Sequence, residues 1–480
     1  VGEAYPAPVA AALVFVASGA VLVLEILGIR LLAPYVGLTL ETTTSIIGTV
    51  LAGIAAGAAL GGRAADRYDP RRLLSLLLLG GGALAVGTVP VARGLGSAFS
   101  GQGDPAAVIV ALFALFPPAA VLSAVTPTVA RVQLRDLGST GSVVGRLSAW
   151  ATAGALLGTF ATGFVLVPLL ATDVAVLVVG AVLLALGLAV ALRGSGPHGL
   201  AAVLAGGSLA VGATSIAAGS PCDAETTYHC ANVLEDRTRP SGRVLVLEEL
   251  RHSYVDLADP RHLEFDYIRW IGDAIDAAPA GPLDAVFLGG GGFTLPRYVA
   301  ATRPGSRSRV LEVDGDLVEL VRERLALRTG PALRVRVGDA RVTLRDEPTA
   351  SADVLVGDAF GGRSVPWHLA TVEFAREIRR VLRSDGVYAL NVIDHGELGL
   401  LRAEAATLLE VFEDVRLVTH GAPGGNFVLL ASETPLGAGV RTNARGARTL
   451  DRAAVEQLLR GAAPLRDEDA PADQLLTPRA

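Results

Sequence analysis

Long apolar runs fill residues 8–218 of this chain and then stop, and that division limits what its first half can become. Seven segments, near 8–28, 43–62, 73–93, 107–130, 147–169, 173–193 and 199–218, are long and apolar enough to cross a hydrocarbon core of roughly 30 Å. Hydrocarbon offers the backbone no hydrogen-bond partner, so such segments read as helices that satisfy their own N–H and C=O groups. Small residues crowd several of them, as between Ala52 and Gly61, which suits close helix packing in lipid. The first run lacks a basic leader and a small-residue cleavage site and is expected to be a retained span. The expected first domain is therefore a transmembrane unit of about seven helices over 1–220, followed by an α/β domain over 221–480.

Charge gives the spans a direction. With the N-terminus inside, the inner loops carry Arg63, Arg67, Arg71, Arg72, Arg131, Arg135, Arg146 and Arg193, and the outer loops only Arg30 and Arg93. Seven spans then deliver residue 221 to the outer side, and one span fewer reverses the result. Cys222 and Cys230, the only cysteines, either form a short disulfide in an oxidising compartment or stay as two small unpaired hydrophobes. Glu25 sits inside the first span, where an ionisable group is a functional candidate; a structural ion pair with Arg30, or an Arg30 that snorkels, is the alternative. The loop from Gly62 to Arg72 resembles the Gly-x-x-x-Asp-Arg-x-Gly-Arg-Arg loop of major-facilitator transporters, with Pro70 at the second glycine; a short basic inner loop is the alternative.

From 221 onward the periodicity changes. Short β-prone runs come first (228–234, 243–247, 253–257), in a hairpin region over 221–270. Strands near 284–289, 309–313, 333–337, 353–357, 386–393, 414–419 and 426–432 then alternate with helical patterns such as 316–327 and 372–382. This spacing predicts a mainly parallel, doubly wound, Rossmann-like sheet over 280–435, with a C-terminal extension over 436–480. Ligands of such sheets bind beyond the carboxyl ends of the strands. Gly289, Gly290 and Gly291 end the first strand, and without Cβ atoms their backbone can approach a ligand closely. Glu312 ends the second and can accept from two ribose hydroxyls; Asp339, followed by Ala340, ends the third and can accept from an adenine amine. Asp358 ends the fourth, where an acid can take a proton or align a nucleophile; capping the next turn is its other reading. A glycine turn, an acid about 20 residues on and then Gly-Asp suit an adenosyl-sulfonium ligand. The lack of a Gly-x-Gly-x-x-Gly run argues against NAD, and the absence of any lysine rules out a Walker site.

On these residues, 221–480 resembles the spermidine/spermine synthase (polyamine aminopropyltransferase) family, and the whole chain resembles its bacterial membrane-fused form. The stretch from Glu225 to Val233 is similar to the family's first strand. Leu245 to Ser253 is similar to its Leu-x-Leu-Asp-Gly-x-x-Gln-Ser/Thr segment, with His252 at the Gln. Gly289 to Gly292 is similar to Gly-Gly-Gly-Asp, and Val310 to Asp314 to Val-Glu-Ile-Asp. In the tail, Asp467 to Asp473 resembles the closing segment of the fused forms, which implies a folded extension. The resemblance implies Asp358 as base and Tyr267 beside it, with Gly289, Gly290, Gly291, His252, Glu312, Asp339 and Ala340 around the nucleoside. The implied co-substrate is decarboxylated S-adenosylmethionine, or S-adenosylmethionine itself, with no metal. Departures fall where amines would bind: Gly292 stands at the family's Asp in Gly-Gly-Gly-Asp, and Gly361 at the second Asp of Asp-Ser-x-Asp.

The expected activity is therefore aminopropyl transfer to an amine by a multi-pass protein of the cell membrane. Two other readings stay open: a methyltransferase or other adenosyl-sulfonium enzyme on a non-polyamine substrate, and a polyamine transporter or sensor that uses Glu25. Expected partners are a small-molecule amine and the lipid bilayer, with a homodimer left open. No nucleic acid is expected.

Overall fold

The structure is a computed structural model that describes all residues except 1–3, 38–39, 100–103, 135–136, 194–197, 362–364, 423, 437–445 and 477–480. Arg135, counted above for orientation, lies outside the described residues. The chain forms two compact units, Val1–Cys230 and Ala231–Ala480.

Among the described residues of the first unit, six helices are long and apolar enough to cross a membrane: Ala7–Val36, Glu41–Arg67, Pro70–Phe99, Thr140–Leu169, Thr172–Arg193 and His198–Ala217. A bent pair, Pro105–Ala114 and Phe116–Gln133, makes up to seven if it counts as one span. Its 44° bend has a local cause. Pro117 and Pro118 have no N–H to give to the carbonyls of Phe113 and Ala114. The Thr88 hydroxyl replaces one of them, donating to the Ala114 carbonyl at 3.0 Å. Elsewhere glycine permits close contact: a Cβ on Gly57 would lie 2.0 Å from the Ala120 carbonyl oxygen, and one on Gly154 would lie 2.1 Å from that of Phe15.

Arg30 does not pair with Glu25. Its guanidinium donates to the carbonyls of Thr226 and Thr227, each at 2.6 Å, just beyond the last helix. Five residues along a helix turn the side chain through about 140° past a full turn, so the two point to different faces. Arg93 is engaged by Asp173 at 2.8 Å and by the Ser215 carbonyl at 3.1 Å. Of the two readings left open for the cysteines, the structure has the disulfide Cys222–Cys230, with Cα atoms 5.3 Å apart. Within its loop lies the two-residue strand β1 (Ala224–Glu225), whose Glu225 carboxylate accepts from the Thr172 amide at 2.7 Å. That amide opens a helix and has no partner within it, so a carboxylate is well placed there.

The second unit begins with three antiparallel strands, β2 (Cys230–Glu235), β3 (Gly242–Leu247) and β4 (Leu250–Asp256). The main sheet holds β5 (Asp284–Leu288), β6 (Arg307–Glu312), β7 (Leu333–Val337), β8 (Ala352–Gly357), β9 (Leu382–His395), β10 (Asp414–Thr419), β11 (Gly424–Ser432) and β12 (Arg448–Leu450). Their order is β12-β10-β11-β9-β8-β5-β6-β7. The strands β5 to β9 pair in parallel, while β10, β11 and β12 join antiparallel. The sheet is thus more mixed than the strand–helix alternation predicts, because β10 and β11 form a local hairpin and β11 inserts beside β9. From β5 the chain moves outward through β6 and β7, then returns to add β8 on the other side. The point of reversal lies between β5 and β8 and opens a crevice at their carboxyl ends. In the C-terminal extension, β12, the helices Arg452–Leu458 and Ala472–Leu475, and Asp467 are ordered, and Asp467 accepts from the Thr371 hydroxyl at 2.7 Å.

One buried acid in this unit is unrelated to the crevice. Glu404, on the helix Gly399–Val411, is 2% exposed, and its Oε1 has no hydrogen-bond partner. Burial pushes its carboxyl up to about 8, from an ordinary value of 4.5. The neutral form is therefore the one the fold accepts. Its stabilising contribution is complete below about pH 4.5 and is lost as pH rises through about 8. Hydrogen–deuterium exchange of the Gly399–Val411 peptide should show protection falling several-fold between pH 5.5 and 8.5, after correction for intrinsic exchange. Glu404→Gln should flatten that dependence; an unchanged slope would reject the assignment.

Candidate active site

The crevice at the reversal point is built from main chain first. Gly289, directly after β5, has φ +88°, and a Cβ there would lie 2.6 Å from the Asp358 carbonyl oxygen. Only glycine meets both conditions. The Asp358 amide donates to the Leu288 carbonyl at 3.0 Å, and the Gly289 amide to Leu311 at 2.9 Å, so the ends of β8, β5 and β6 lie side by side. Gly291 also has positive φ (+48°), and a Cβ on it would lie 2.9 Å from His252 Nδ1. Phe293, fully buried, then opens the helix Thr294–Thr302 in a left-handed conformation.

The acids behave differently from one another. Glu312 at the end of β6 is buried, with Oε2 accepting from the Gly290 amide at 2.7 Å and Oε1 from the Asp314 amide at 3.0 Å. It fastens the glycine turn to the second strand, and an ionised carboxylate has about four acceptor positions, so two are left for a ligand. Asp314 caps the next helix by accepting from Leu317 N at 3.1 Å. Asp339 follows Gly338, whose amide donates to the Glu312 carbonyl at 2.8 Å. Its Oδ1 accepts from the Arg341 amide at 2.7 Å, and its Oδ2 lies 2.9 Å from His368 Nε2. Ala340 begins the short helix Ala340–Thr343 and is buried.

Asp358 is the reactive candidate. It is half-buried, accepts from Asn391 Nδ2 at 2.8 Å on Oδ1, and accepts from the Tyr267 hydroxyl at 3.4 Å on Oδ2. Burial raises its carboxyl to about 6, against the lowering effect of those two donors. Such a group is ionised at neutral pH yet basic enough to take a proton. Tyr267 is buried beside a stacked Phe265, with ring centroids 6.2 Å apart. Burial, and then the Asp358 charge, hold its phenol well above the usual value, so it remains a donor.

An unbroken series of contacts therefore joins Tyr267, Asp358, Gly289, Gly290, Glu312 and Gly338–Asp339, and His252 closes the other side of the glycine turn at Gly291. Several contributors are missing from the sequence reading. Ser253 accepts from the Gly292 amide at 3.0 Å and lies 3.0 Å from His252 Nδ1. Asn391 is held in turn by Asn426 Nδ2 at 3.0 Å. The available signal was a buried-strand asparagine, since a polar side chain inside an apolar run needs partners. His368 had no such signal.

No family model matches the chain. In sequence it is 29% identical over 185 residues to a polyamine aminopropyltransferase of Vibrio vulnificus (strain CMCP6), covering 38% of this chain and 60% of that protein. The match thus spans about three fifths of that relative's length. Among solved structures, a probable spermidine synthase from Corynebacterium glutamicum ATCC 13032 is 30% identical with a TM-score of 0.48, over 51% of this chain and 95% of that one. The spermidine synthase of Thermotoga maritima is 18% identical with a TM-score of 0.36, over 53% of this chain and 83% of its own. Over those 185 residues the chain is homologous to that polyamine aminopropyltransferase.

The two glycine departures are physically unlike. A Cβ on Gly292 would lie 2.9 Å from both Ser253 Cβ and Val255 Cγ2, so side chains of β4 occupy the space an acid would need. Among the described residues, a Cβ on Gly361 meets only Pro366, at an ordinary 3.8 Å. Gly292→Asp should therefore destabilise the second unit by about 1–3 kcal/mol, the usual cost of overpacking. Gly361→Asp should leave its melting temperature nearly unchanged. Thermal unfolding of both variants checks this, and equal tolerance would disprove the steric account.

Proposed function

We propose that the second unit is an alkyl transferase of the aminopropyltransferase type, held at a membrane by the helices of the first. The donor is decarboxylated S-adenosylmethionine and the acceptor a small amine. The observation that carries the reading is Asp358, a half-buried carboxyl raised to about 6 at the reversal point of the sheet and fixed by Asn391 and Tyr267. Homology to polyamine aminopropyltransferases supports it.

In this reaction the amine nitrogen attacks the carbon beside the sulfonium. The N–C bond forms, the C–S bond breaks, and its electron pair returns to sulfur, leaving a neutral thioether. The amine must then lose one proton, which Asp358 accepts. Sulfonium is already a good leaving group, so the protein's work is orientation and proton removal. Tyr267 directs one oxygen of Asp358, and Asn391 holds the other. Glu312, Asp339 and the Gly289–Gly291 backbone would hold the nucleoside, with His252 lining the turn.

A specific feature favours a second reading. Side chains of β4 fill the place of the acid replaced by Gly292, so one carboxylate expected for a polycationic pair is absent by construction. That suits methyl transfer from S-adenosylmethionine to a less charged acceptor. Calorimetry with the two donors separates the readings: aminopropyl transfer requires tighter binding of the decarboxylated form.

Two observations support an outer position for the second unit. The arginine excess favours an inner N-terminus. With the bent pair counted as one span, the chain then leaves the seventh helix on the outer side, where Cys222–Cys230 would meet oxidising conditions. The donor would then have to reach the outer face. Protease added to intact cells should cleave between residues 231 and 480; full resistance there, with cleavage after lysis, would place the unit inside.

For the chemistry, Asp358→Asn should lower kcat by about 10²–10⁴-fold, the range of a lost general base, with nucleoside affinity within a few-fold of wild type. The wild-type rate should fall about tenfold per pH unit below about 6, because protonation removes the base. Turnover by Asp358→Asn at the wild-type rate would remove this residue from the mechanism.

A further inference from the structure

Glu25 is a buried ionisable group that the enzymatic reading leaves unused. It lies about 5 Å past the midpoint of the helix Ala7–Val36, at 1.5 Å per residue. It is 9% exposed, and its buried Oε2 has no hydrogen-bond partner. Several other buried polar groups of this unit have partners: Thr88, Thr128 and Thr162 donate to helix carbonyls, and Asp173 holds Arg93, whose Nε alone is left without one. Glu25 is also the one acid of these described helices outside a terminal turn; Glu41, Asp66, Asp104 and Asp173 all sit near helix ends.

Two backbone irregularities meet at its level. Gly28, three residues on, packs so closely under Leu115 that a Cβ would lie 2.6 Å from Leu115 Cδ1, and Leu115 is the residue at the break of the bent pair. The helix Thr140–Ala161 runs parallel to the first, with Gly19 against both Gly154 and Gly158. Six residues beyond Gly19 is Glu25, and six beyond Gly158 is Phe164–Val165 territory, inside the π-turn Thr162–Leu166. Broken and π-helical turns in membrane helices recur where a polar ligand is held.

We propose that Glu25 anchors a binding site for a single primary-ammonium group inside the helical bundle. The inference rests on reading the first unit as membrane-spanning. One carboxylate balances one positive charge, and a hard metal ion would need several more oxygen ligands than one side chain supplies. An ammonium group instead brings its own N–H donors to the oxygen that lacks one. The same chemical class serves as acceptor in the proposed reaction, so the bundle would collect what the second unit consumes.

The test uses the full chain in detergent and a hydrophobic carbodiimide, with mass spectrometry of the modified Glu25 peptide. Methylammonium or 1,4-diaminobutane should slow modification at least fivefold, whereas tetramethylammonium, which has no N–H, and sodium should not. Glu25→Gln should remove the label from that peptide. Failure of Glu25 to react, equal slowing by sodium, or no slowing by any amine would each overturn the proposal. The wild-type protection measurement stands even if Glu25→Gln fails to fold. Donor turnover by the second unit is assayed separately, and protease cleavage reports membrane placement, so the failure of either reading is distinguishable from failure of this site.

Discussion

The candidate site depends on one main-chain contact, the approach of Gly289 to the carbonyl of Asp358. Two parallel strands meet there at the reversal point, and the absent Cβ lets their ends close to van der Waals distance. Everything functional is referenced to that contact. It fixes where Asp358 leaves β8, which fixes the carboxylate against Tyr267 and Asn391. It also sets the glycine turn at the height where the Gly290 amide meets Glu312. A side chain at Gly289 would part the strands and move Asp358 away from the glycine turn.

Electrostatics then divides the crevice. Glu312 is tied down by two amides and acts as much on the shape of the turn as on any ligand. Asp339 caps a helix and meets His368, so its freedom to accept from a base is bounded by a neighbouring ring. Asp358 has a carboxyl raised to about 6, and burial is the larger cause. The side of the crevice built by Glu312 and Asp339 is held by backbone amides, whereas the other side holds the raised carboxyl of Asp358.

The parts of this fold readable in the sequence were those encoded locally. The strand that runs into Gly289–Gly291, and the acids that follow strands near Glu312 and Asp339, carry their signal within a few residues. The insertion of β11 beside β9 did not, because strand pairing is decided by partners far apart in the chain. Asn391 and Asn426 are 35 residues apart and meet only across that pairing. Gly292 looked in the sequence like a lost carboxylate; its reason lies in Ser253 and Val255, about forty residues earlier. The break at Pro117–Pro118 was written in the sequence and is hidden by a hydropathy window, which averages over the two residues that matter.

The first unit shows how polar groups are handled where the surroundings are apolar. Arg93 pairs with Asp173, and Arg30 is capped by the carbonyls of Thr226 and Thr227 in the disulfide-closed loop, where Glu225 in turn accepts from the amide that opens the next helix. These contacts gather at one end of the bundle, and each of the charges there is compensated. An ion pair between Glu25 and Arg30 would have neutralised both residues without the loop. Helix geometry forbids it, so Arg30 spends its donors on the loop and Glu25 keeps an oxygen without a partner. The residue left over by that arrangement is the one that lies deepest in the helix, at the level where two neighbouring helices lose their regular hydrogen bonding.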